Sequence, residues 1–413
     1  MPRSFYLVIA VQFIAALADN ALLIVAIARL VEIDAALWII PLLKLGFTLS
    51  YVFLAPFVGP LADAWPKGRV MFLANSLKAC AVLALLFGAD PILVMAIAGL
   101  GAAIYGPAKY GLITELLRPQ LLVRANGFIE ASTVCAVILG TVAGGALISP
   151  ALRHDGWPQG WSALSGMSTA LVPGMLVLLA LYALAALLNT AIPDSGARYP
   201  QHRVRIRPMV LRFFSENRLL WRDPMGGLSM AVTTLLWGIG ATLQLIVLRW
   251  AQQCLGLSLE QAAYLQGVTA LGVIAGAVLA SRHISLDAAT RVLPLGVIMG
   301  LLVPCMVWVS SPLLAGGLLM TFGALAGFFV VPMNALLQHR GHQLLSAGRS
   351  IAVQGFNENA GMLLMLALYA GATALDVSLG LLLWCFGLTV ASVMLAILWR
   401  QHELTSAAPP KPA

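Results

Sequence analysis

Long apolar stretches repeat along the whole chain, and short polar turns separate them. A helix needs about 20 mostly apolar residues to cross the roughly 30 Å hydrocarbon core of a bilayer. The pattern therefore predicts about twelve membrane-spanning helices. They cover residues 5–31, 36–62, 69–89, 91–113, 124–149, 168–192, 224–250, 261–281, 290–310, 312–337, 348–374 and 376–400.

The amino-acid composition supports lipid as the solvent for most of the chain. Of the 413 residues, 61% are hydrophobic and only 10% are charged. Soluble domains carry about 25% charged residues, and a soluble fold has no means of hiding so much apolar surface. We therefore predict an all-α polytopic membrane protein with little chain left for a separate soluble domain.

The basic residues predict the orientation of the chain. Most of the 24 Lys and Arg residues lie in alternate short loops and at the ends of spans, and such residues favour the cytoplasmic side. Both termini and the basic segment 193–223 are therefore expected in the cytoplasm. We expect this linker to lie along anionic headgroups, although a linker that only fixes the topology explains it equally well. The tail, 401–413, is expected to be disordered.

Two pairs of short segments suggest an internal repeat. Residues 107–109 match 332–334 at an offset of 225, and residues 126–130 match 354–358 at an offset of 228. Each match is weak alone, but the matches fall in order and in equivalent spans. They indicate a duplicated six-helix unit.

The repeat predicts two six-helix bundles, 1–192 and 224–400. Parallel repeats of this kind form the major facilitator fold, in which a binding site lies near the bilayer midplane between the halves. At the offset of 225, Asp19 in the first span corresponds to Gln244 in the seventh.

The loop after the second span contains a recognisable motif. Gly59, Asp63, Lys67, Gly68 and Arg69 resemble the major facilitator signature G-x-L-x-D-R-x-G-R-R, with one extra residue and an alanine where arginine is common. An aspartate at the end of one helix is well placed to meet the N-terminus of another. The motif predicts a gate on the cytoplasmic side, and the alternative is an ordinary helical hairpin with charges that fix its orientation.

Several polar residues interrupt the apolar spans. Asp19 and Asn20 lie near the centre of the first span, and Asn357 and Glu358 near the centre of the eleventh. Ionisable residues within a membrane are costly and usually face a cavity or a partner. We predict that they bind the substrate, while structural pairing, for example of Asp19 with Lys109, is the competing interpretation.

Other polar positions extend this candidate cavity. Lys109 and Arg249 are candidates for binding an anionic group, and Gln244 and Glu130 for lining the cavity. A lysine near a helix end can instead extend to the interface. Arg249 can likewise be an interfacial anchor beside Trp250, and we leave both interpretations open.

Signals for enzymes, metals and nucleic acids are missing from the sequence. It has no glycine-rich phosphate loop and no Gly-x-Ser-x-Gly element. The five cysteines are scattered, and His339 and His342 have no acidic or thiol neighbour in the sequence. We expect no cofactor, no metal, no nucleic-acid partner and no enzymatic activity.

Residues spread along nearly the whole chain carry a resemblance to a known family. They are residues 19–23, 55–59, 62–63, 67–71, 107–111, 125–127, 130–133, 328–332, 334–338 and 351–354. With these segments the chain resembles the bacterial lysophospholipid transporter family, LplT, a branch of the major facilitator superfamily. It departs from the family at Gln244, where relatives have a basic residue.

The resemblance implies that lysophosphatidylethanolamine and related lysolipids are flipped from the outer to the inner leaflet of the bacterial inner membrane without ATP. A cytoplasmic acyltransferase/acyl-carrier-protein synthetase would then restore the second acyl chain. We expect a monomer. Two alternatives stay open: a proton-coupled antiporter of a drug or metabolite that uses Asp19 or Glu358, and a lipid receptor or scaffold that transports nothing.

Overall fold

The computed structural model describes residues 1–36, 39–148, 171–197, 199 and 205–406, and regular structure in these ranges is entirely helical. The helices are α1 (Arg3–Glu32), α2 (Ile40–Ala64), α3 (Lys67–Leu86), α4 (Pro91–Leu116), α5 (Leu122–Leu147), α6 (Val172–Thr190), α7 (Ile206–Arg222), α8 (Pro224–Leu255), α9 (Leu259–His283), α10 (Leu293–Leu302), α11 (Pro312–Leu344), α12 (Ala347–Ala374) and α13 (Leu379–Ser406). The all-α fold expected from the sequence is confirmed.

Eleven segments in the described ranges are long and apolar enough to cross a membrane. They correspond to eleven of the twelve predicted spans, although the start of the span 168–192 lies outside the described residues. The remaining predicted span, 348–374, is the 28-residue helix α12. Its length of about 42 Å suffices to cross, but the polar run Asn357-Glu358-Asn359 dilutes its apolar character.

The predicted linker and tail both contain helix. In the segment 193–223, residues Ile206–Arg222 form α7, with Phe213 and Leu220 buried on one face while Leu211 is exposed. Helix α13 continues through residues 401–406 of the predicted tail, and 407–413 lie outside the described residues.

Contacts between residues divide the chain into two compact units. The first unit comprises Met1–Arg118, Ser132–Glu216 and Leu345–Phe356, and the second comprises Pro119–Ala131, Asn217–Leu344 and Asn357–Ala413. The beginning of α12 therefore belongs to the first unit, although it comes late in the chain.

Each unit has an apolar core of its own. In the first unit, Leu22, Val25 and Met175 are fully buried in a cluster of residues from α1, α2, α3, α4 and α6. In the second, Trp250 and Phe329 are fully buried in a larger cluster. Helices α9 and α11 approach closely because glycines line their contact, including Gly276 and Gly327; small residues allow such close packing within membranes.

Candidate functional site

A buried ion pair lies near the middle of the helices of the first unit. The carboxylate of Asp19 on α1 is 2.7 Å from the ammonium of Lys78 on α3. The hydroxyl of Tyr182 on α6 donates a hydrogen bond of 2.7 Å to the same carboxylate. The Asp19 side chain is 17% exposed and that of Lys78 only 2%, so the pair is reached from the side of Asp19.

Aromatic rings lie near the ammonium of Lys78, and a glycine lies against its stem. It lies 5.7 Å from the ring centre of Tyr105 and 5.8 Å from that of Tyr182, within the range of cation–π attraction. The stem of Lys78 crosses Gly101 on α4, where an added Cβ would lie 2.7 Å from Lys78 Cγ. We call Asp19, Lys78, Tyr182, Tyr105 and the neighbouring Asn75 the Asp19 cluster.

Asn20 and Lys109, both predicted to join Asp19, make other contacts. The amide of Asn20 donates a 2.8 Å hydrogen bond to the Ala16 carbonyl one turn earlier in α1. The ammonium of Lys109 lies 4.1 Å from the ring centre of Tyr110. Asp19 pairs with Lys78, so an ion pair of the kind considered for Lys109 forms with a different lysine.

A second polar cluster lies where α2 ends. The carboxylate of Asp63 accepts a hydrogen bond of 2.9 Å from the backbone N–H of Gly348 and another from the hydroxyl of Ser346. Gly348 is the second residue of α12, so the anion lies at the N-terminus of a helix, where charge of this sign is favourable. The sequence motif predicts this kind of contact for Asp63.

Lysine and glutamate complete this second cluster. The ammonium of Lys67 lies 3.4 Å from Asp63 and 3.1 Å from Glu115 on α4, and it donates to the carbonyl of Ala62. We call Asp63, Lys67, Glu115, Ser346 and Gly348 the Asp63 cluster.

The beginning of the linker contacts the Asp63 cluster. The hydroxyls of Ser195 and Tyr199 both donate hydrogen bonds to Glu115, and the ring of Tyr199 lies 5.1 Å from the ammonium of Lys67. Burial, and next the charge of Glu115, raise the pKa of Tyr199 above its ordinary value. The phenol therefore keeps its proton and remains a hydrogen-bond donor.

The other motif residues lie around the same cluster. Gly59 permits close contact, since an added Cβ would lie 2.9 Å from Cα of Arg349. At Gly68 an added Cβ would lie 3.0 Å from the carbonyl oxygen of Asn189. Arg69 is exposed. Four of the five motif residues therefore take part in close packing or in ion pairs within the first unit.

A cavity of about 630 Å³ lies beside the Asp63 cluster, between the end of α2, helix α7 and the start of α12. Glu216 on α7 pairs with Arg349 at 3.1 Å and with Arg212 at 2.9 Å. With Asp63, these residues give the cavity wall two positive and two negative charges. The remaining wall is largely apolar and includes Trp65.

In the second unit, Gln244 and Arg249 lie on α8. Gln244 is exposed, and its backbone carbonyl accepts a 2.7 Å hydrogen bond from the Gln266 side chain. Arg249 is half-buried, and its buried Nη1 has no hydrogen-bond partner among the described residues. Trp250 is fully buried and donates to the carbonyl of Met306, so its indole packs inside the second unit.

Asn357 contacts the end of the linker helix. It accepts a 3.0 Å hydrogen bond from the indole of Trp221 and donates one of 2.9 Å to Asn217. Glu358 and Glu130 are both half-buried. These residues belong to the second unit, whereas Asp19 belongs to the first.

Sequence reasoning missed two functional candidates, Lys78 and Glu115. A lysine within an apolar span, as at Lys78, was a usable signal, because such residues rarely occur there without a partner. The role of Glu115 was harder to predict, because its partners include Tyr199, which lies outside any predicted span. Among the described residues, no group of three or more His, Cys, Asp or Glu side chains is arranged to hold a metal ion.

Comparisons with known proteins agree with this architecture. Residues 8–366 match the model of the Major Facilitator Superfamily. The chain is 39% identical over 379 residues to the lysophospholipid transporter LplT of Pectobacterium carotovorum subsp. carotovorum (strain PC1), a match that covers 92% of this chain and 88% of that protein. It is also 39% identical over 371 residues to LplT of Yersinia pestis (strain Pestoides F), which covers 90% of this chain and 87% of that protein.

Solved structures show the same fold at much lower identity. A bacterial homologue of the iron transporter ferroportin, in its outward-facing state, aligns with a TM-score of 0.72 and 15% identity over 97% of this chain and 100% of that one. The transporter FucP, in its outward conformation, aligns with a TM-score of 0.72 and 14% identity over 96% and 98%. These likenesses concern the fold alone.

Proposed function

The chain belongs to the Major Facilitator Superfamily and, within it, to the family of the lysophospholipid transporter LplT, and we propose on this basis that it moves lysophospholipids across the membrane. It is a multi-pass membrane transporter and not an enzyme. The observation that carries the proposal is the 39% identity to LplT proteins across nine-tenths of the chain.

We further propose that lysophosphatidylethanolamine and related lysolipids move from the outer to the inner leaflet of the bacterial inner membrane. In this arrangement both termini lie in the cytoplasm. Exposing an acyl chain to water costs about 0.8 kcal/mol per methylene, so the tail stays in lipid or an apolar groove while the headgroup passes along polar side chains. Rocking of the two halves exposes the headgroup site to each side in turn.

Asp19 is the first residue that we propose to contact the lipid headgroup. Its partial exposure, its position within a span and its ion pair with Lys78 support this role. Asn20 is the neighbouring contact, and Lys109 is a candidate for binding the phosphate.

The remaining polar residues of the proposal lie in the second unit. They are Gln244, Arg249, Asn357 and Glu358, with Glu130 as a further polar residue of the cavity. The buried nitrogen of Arg249 that lacks a partner supports an anion-binding role. Asn357 has weaker support, because its side chain already bonds to Trp221 and Asn217.

The Asp63 cluster is the proposed cytoplasmic gate, with Gly59, Gly68 and Arg69 around it. The carboxylate stabilises the contact of α2 with the first turn of α12, and opening the gate breaks that contact. The ion pairs of Lys67 with Asp63 and Glu115 support this role, because they join three separate helix ends.

The proposed partners follow from the proposed reaction. A lysolipid delivered to the inner leaflet needs a second acyl chain, so an acyltransferase/acyl-carrier-protein synthetase in the cytoplasm is the expected consumer of the product. We propose that the transporter itself acts as a monomer.

The test measures flipping of labelled lysophosphatidylethanolamine in liposomes containing the purified protein. We expect flipping by the wild type, at least a tenfold loss with Asp19→Asn and a smaller loss with Glu358→Gln. The exposed acid Glu403 provides the control Glu403→Gln, which should flip at the wild-type rate. Near-normal flipping by both site variants, with normal folding, rejects the site assignment.

Two further arms of this experiment separate the other functions. A rate that follows an imposed pH gradient identifies proton-coupled antiport, whereas an indifferent rate supports facilitated flipping. Saturable lysolipid binding without movement between leaflets identifies a receptor, and that result refutes the transport proposal.

A further inference from the structure

Lys78 is a buried cation with one counter-ion. Among the described residues its ammonium pairs with Asp19 alone, and its side chain is only 2% exposed. A buried ion pair contributes little to stability, because the cost of removing both charges from water offsets much of their attraction. The pair is therefore poorly explained as a device for stability.

Two further polar side chains beside Lys78 lack partners. Both polar atoms of the Asn75 side chain and the hydroxyl of Tyr105 are buried without a hydrogen bond in the described ranges. Asn75 precedes Lys78 by three residues on α3 and so shares its helix face, and the ring of Tyr105 contacts the ammonium. A buried polar group without a partner is destabilising, so these groups point to a missing ligand.

The Asp19 cluster has an excess of hydrogen-bond donors. Lys78 offers three N–H donors, Asn75 an amide N–H₂, and Tyr105 and Tyr182 one hydroxyl each. The carboxylate of Asp19 is the only charged acceptor among them. The ligand that complements such a set is an anion with several acceptor oxygens, and a phosphate diester has this chemistry.

An entering phosphate can replace Asp19 at Lys78 at little electrostatic cost, because one anion takes the place of another. Asp19 is the more exposed partner, so it can turn away while the hydroxyl of Tyr182 continues to bond to it. The released carboxylate then faces the rest of the headgroup, and in lysophosphatidylethanolamine this part is an ammonium.

We propose that Lys78 binds the phosphate of the lysophospholipid headgroup by partner exchange with Asp19, and that Asn75 and Tyr105 supply further hydrogen bonds to it. This inference rests on the proposed lysophospholipid transport. It places the phosphate on a side chain of α3.

The test compares binding of lysophosphatidylethanolamine with binding of the monoacylglycerol of the same chain length, which lacks the phosphate. Wild-type protein in liposomes should bind the lysophospholipid at least tenfold more tightly. Lys78→Met should remove most of this preference and leave monoacylglycerol binding unchanged, whereas Lys78→Arg should keep it. If the wild type itself shows no preference, the proposed function fails together with this inference.

A double variant tests whether the pair of Asp19 and Lys78 is purely structural. Asp19→Asn with Lys78→Met removes both charges, so a purely structural pair predicts recovery of flipping towards the wild-type rate. We expect the double variant to remain at least tenfold slower than the wild type, and recovery overturns the proposal.

A second variant, Asn75→Leu, keeps the proposal testable if Lys78→Met fails to fold. Among the described residues the Asn75 side chain has no hydrogen-bond partner, so Asn75→Leu should fold normally and still bind the lysophospholipid three- to tenfold more weakly. An unchanged preference for the lysophospholipid in Asn75→Leu overturns the role of Asn75, and an unchanged preference in folded Lys78→Met overturns the inference as a whole.

Discussion

Asp63 and Asp19 each pair with a buried lysine in the same compact unit, but their surroundings differ. Asp63 and Lys67 are four residues apart, and their cluster adds a helix N-terminus, a serine hydroxyl and Glu115. Asp19 and Lys78 are 59 residues apart, and beside them Asn75 and Tyr105 have polar atoms without a hydrogen-bond partner in the described part of the chain. We call the Asp63 cluster saturated, because its polar groups bond to partners within the protein, and the Asp19 cluster unsaturated, because some of its polar atoms have no such partner among the described residues.

This difference in saturation separates two kinds of function. A saturated cluster stabilises one arrangement of its helices and releases them only when several bonds break together, as a gate requires. An unsaturated cluster holds donors ready for a partner from outside, as a binding site requires. The number of unused donors is therefore more informative about function than the presence of a buried ion pair, which both clusters share.

Crowding the unsaturated cluster through Gly101→Ala should have a larger effect than changing the saturated cluster. The added Cβ would lie 2.7 Å from Lys78 Cγ and 2.8 Å from the carbonyl oxygen of Ala74, so α3 and α4 must separate and Lys78 must move away from Asp19. We expect at least a fivefold loss of lysophosphatidylethanolamine flipping in liposomes.

The matched control for this variant is Gly106→Ala on the same helix. An added Cβ at Gly106 meets nothing within 4 Å, while the gain in helix propensity of about 1 kcal/mol is the same for both changes. Gly106→Ala should therefore flip at nearly the wild-type rate. Equal losses in the two variants would show that general helix effects, and not the position of Lys78, control transport.

A smaller effect is expected when the saturated cluster loses one charge, in Asp63→Asn. An anion at a helix N-terminus contributes about 0.3–2 kcal/mol, and the remaining bonds of Lys67 and Glu115 stay in place. We expect a two- to fivefold fall in flipping with unchanged lysophospholipid binding. Ala352 is buried in the wall of the neighbouring cavity. A cysteine placed there, as Ala352→Cys in a cysteine-free background, should react faster with a thiol reagent when Asp63→Asn is also present, because the weakened gate opens more often.

The control for the gate variant is Asp287→Asn, which removes an exposed acid elsewhere and should change neither flipping nor labelling. If Asp63→Asn weakened binding as strongly as it slowed flipping, the two clusters would not have separate functions, and the distinction drawn from their saturation would fail.

The fold could be predicted from the sequence because each span is a long run of mostly apolar residues. The exception is α12, where length and helical structure agree with the prediction but the run Asn357-Glu358-Asn359 weakens the apolar signal. Helix α7 was not predicted as a helix, although Phe213 and Leu220 lie seven residues apart and share a buried face. Its many arginines obscured that pattern.

The polar sites followed from the sequence only in part. The cost of a carboxylate within a span made Asp19 conspicuous, and the motif predicted the helix contact of Asp63. The partner of Asp19 was not predictable, because nothing in the spacing selects Lys78 over Lys109 across dozens of residues. The burial of Trp250 was also not predictable, because the acceptor of its indole N–H is the carbonyl of Met306, 56 residues away.

The smallest effect concerns a third aspartate, Asp223, which lies outside the spans and caps α8. Arg340 donates two hydrogen bonds to it, of 2.6 and 3.1 Å, and the backbone N–H of Gly226 donates one of 2.7 Å. Burial raises the pKa of Asp223, but these hydrogen bonds outweigh burial and leave the pKa below its ordinary value. The folded state therefore favours the carboxylate more than the unfolded state does.

Asp223→Asn should lower the melting temperature at pH 7 by about 1–3 °C, because asparagine retains the helix cap but loses the charge that faces Arg340. The contribution of the carboxylate is complete above its ordinary pKa of about 3.9 and declines as the pH falls through the lower pKa of the folded state. The difference between wild type and variant should therefore shrink when melting is measured below about pH 4. Asp90→Asn, at a helix cap without an arginine partner in the described ranges, should show a smaller difference at pH 7. A constant difference for Asp223→Asn at both pH values would mean that its charge is as dispensable as that of a surface pair, and that hydrogen bonding alone holds this third aspartate in place.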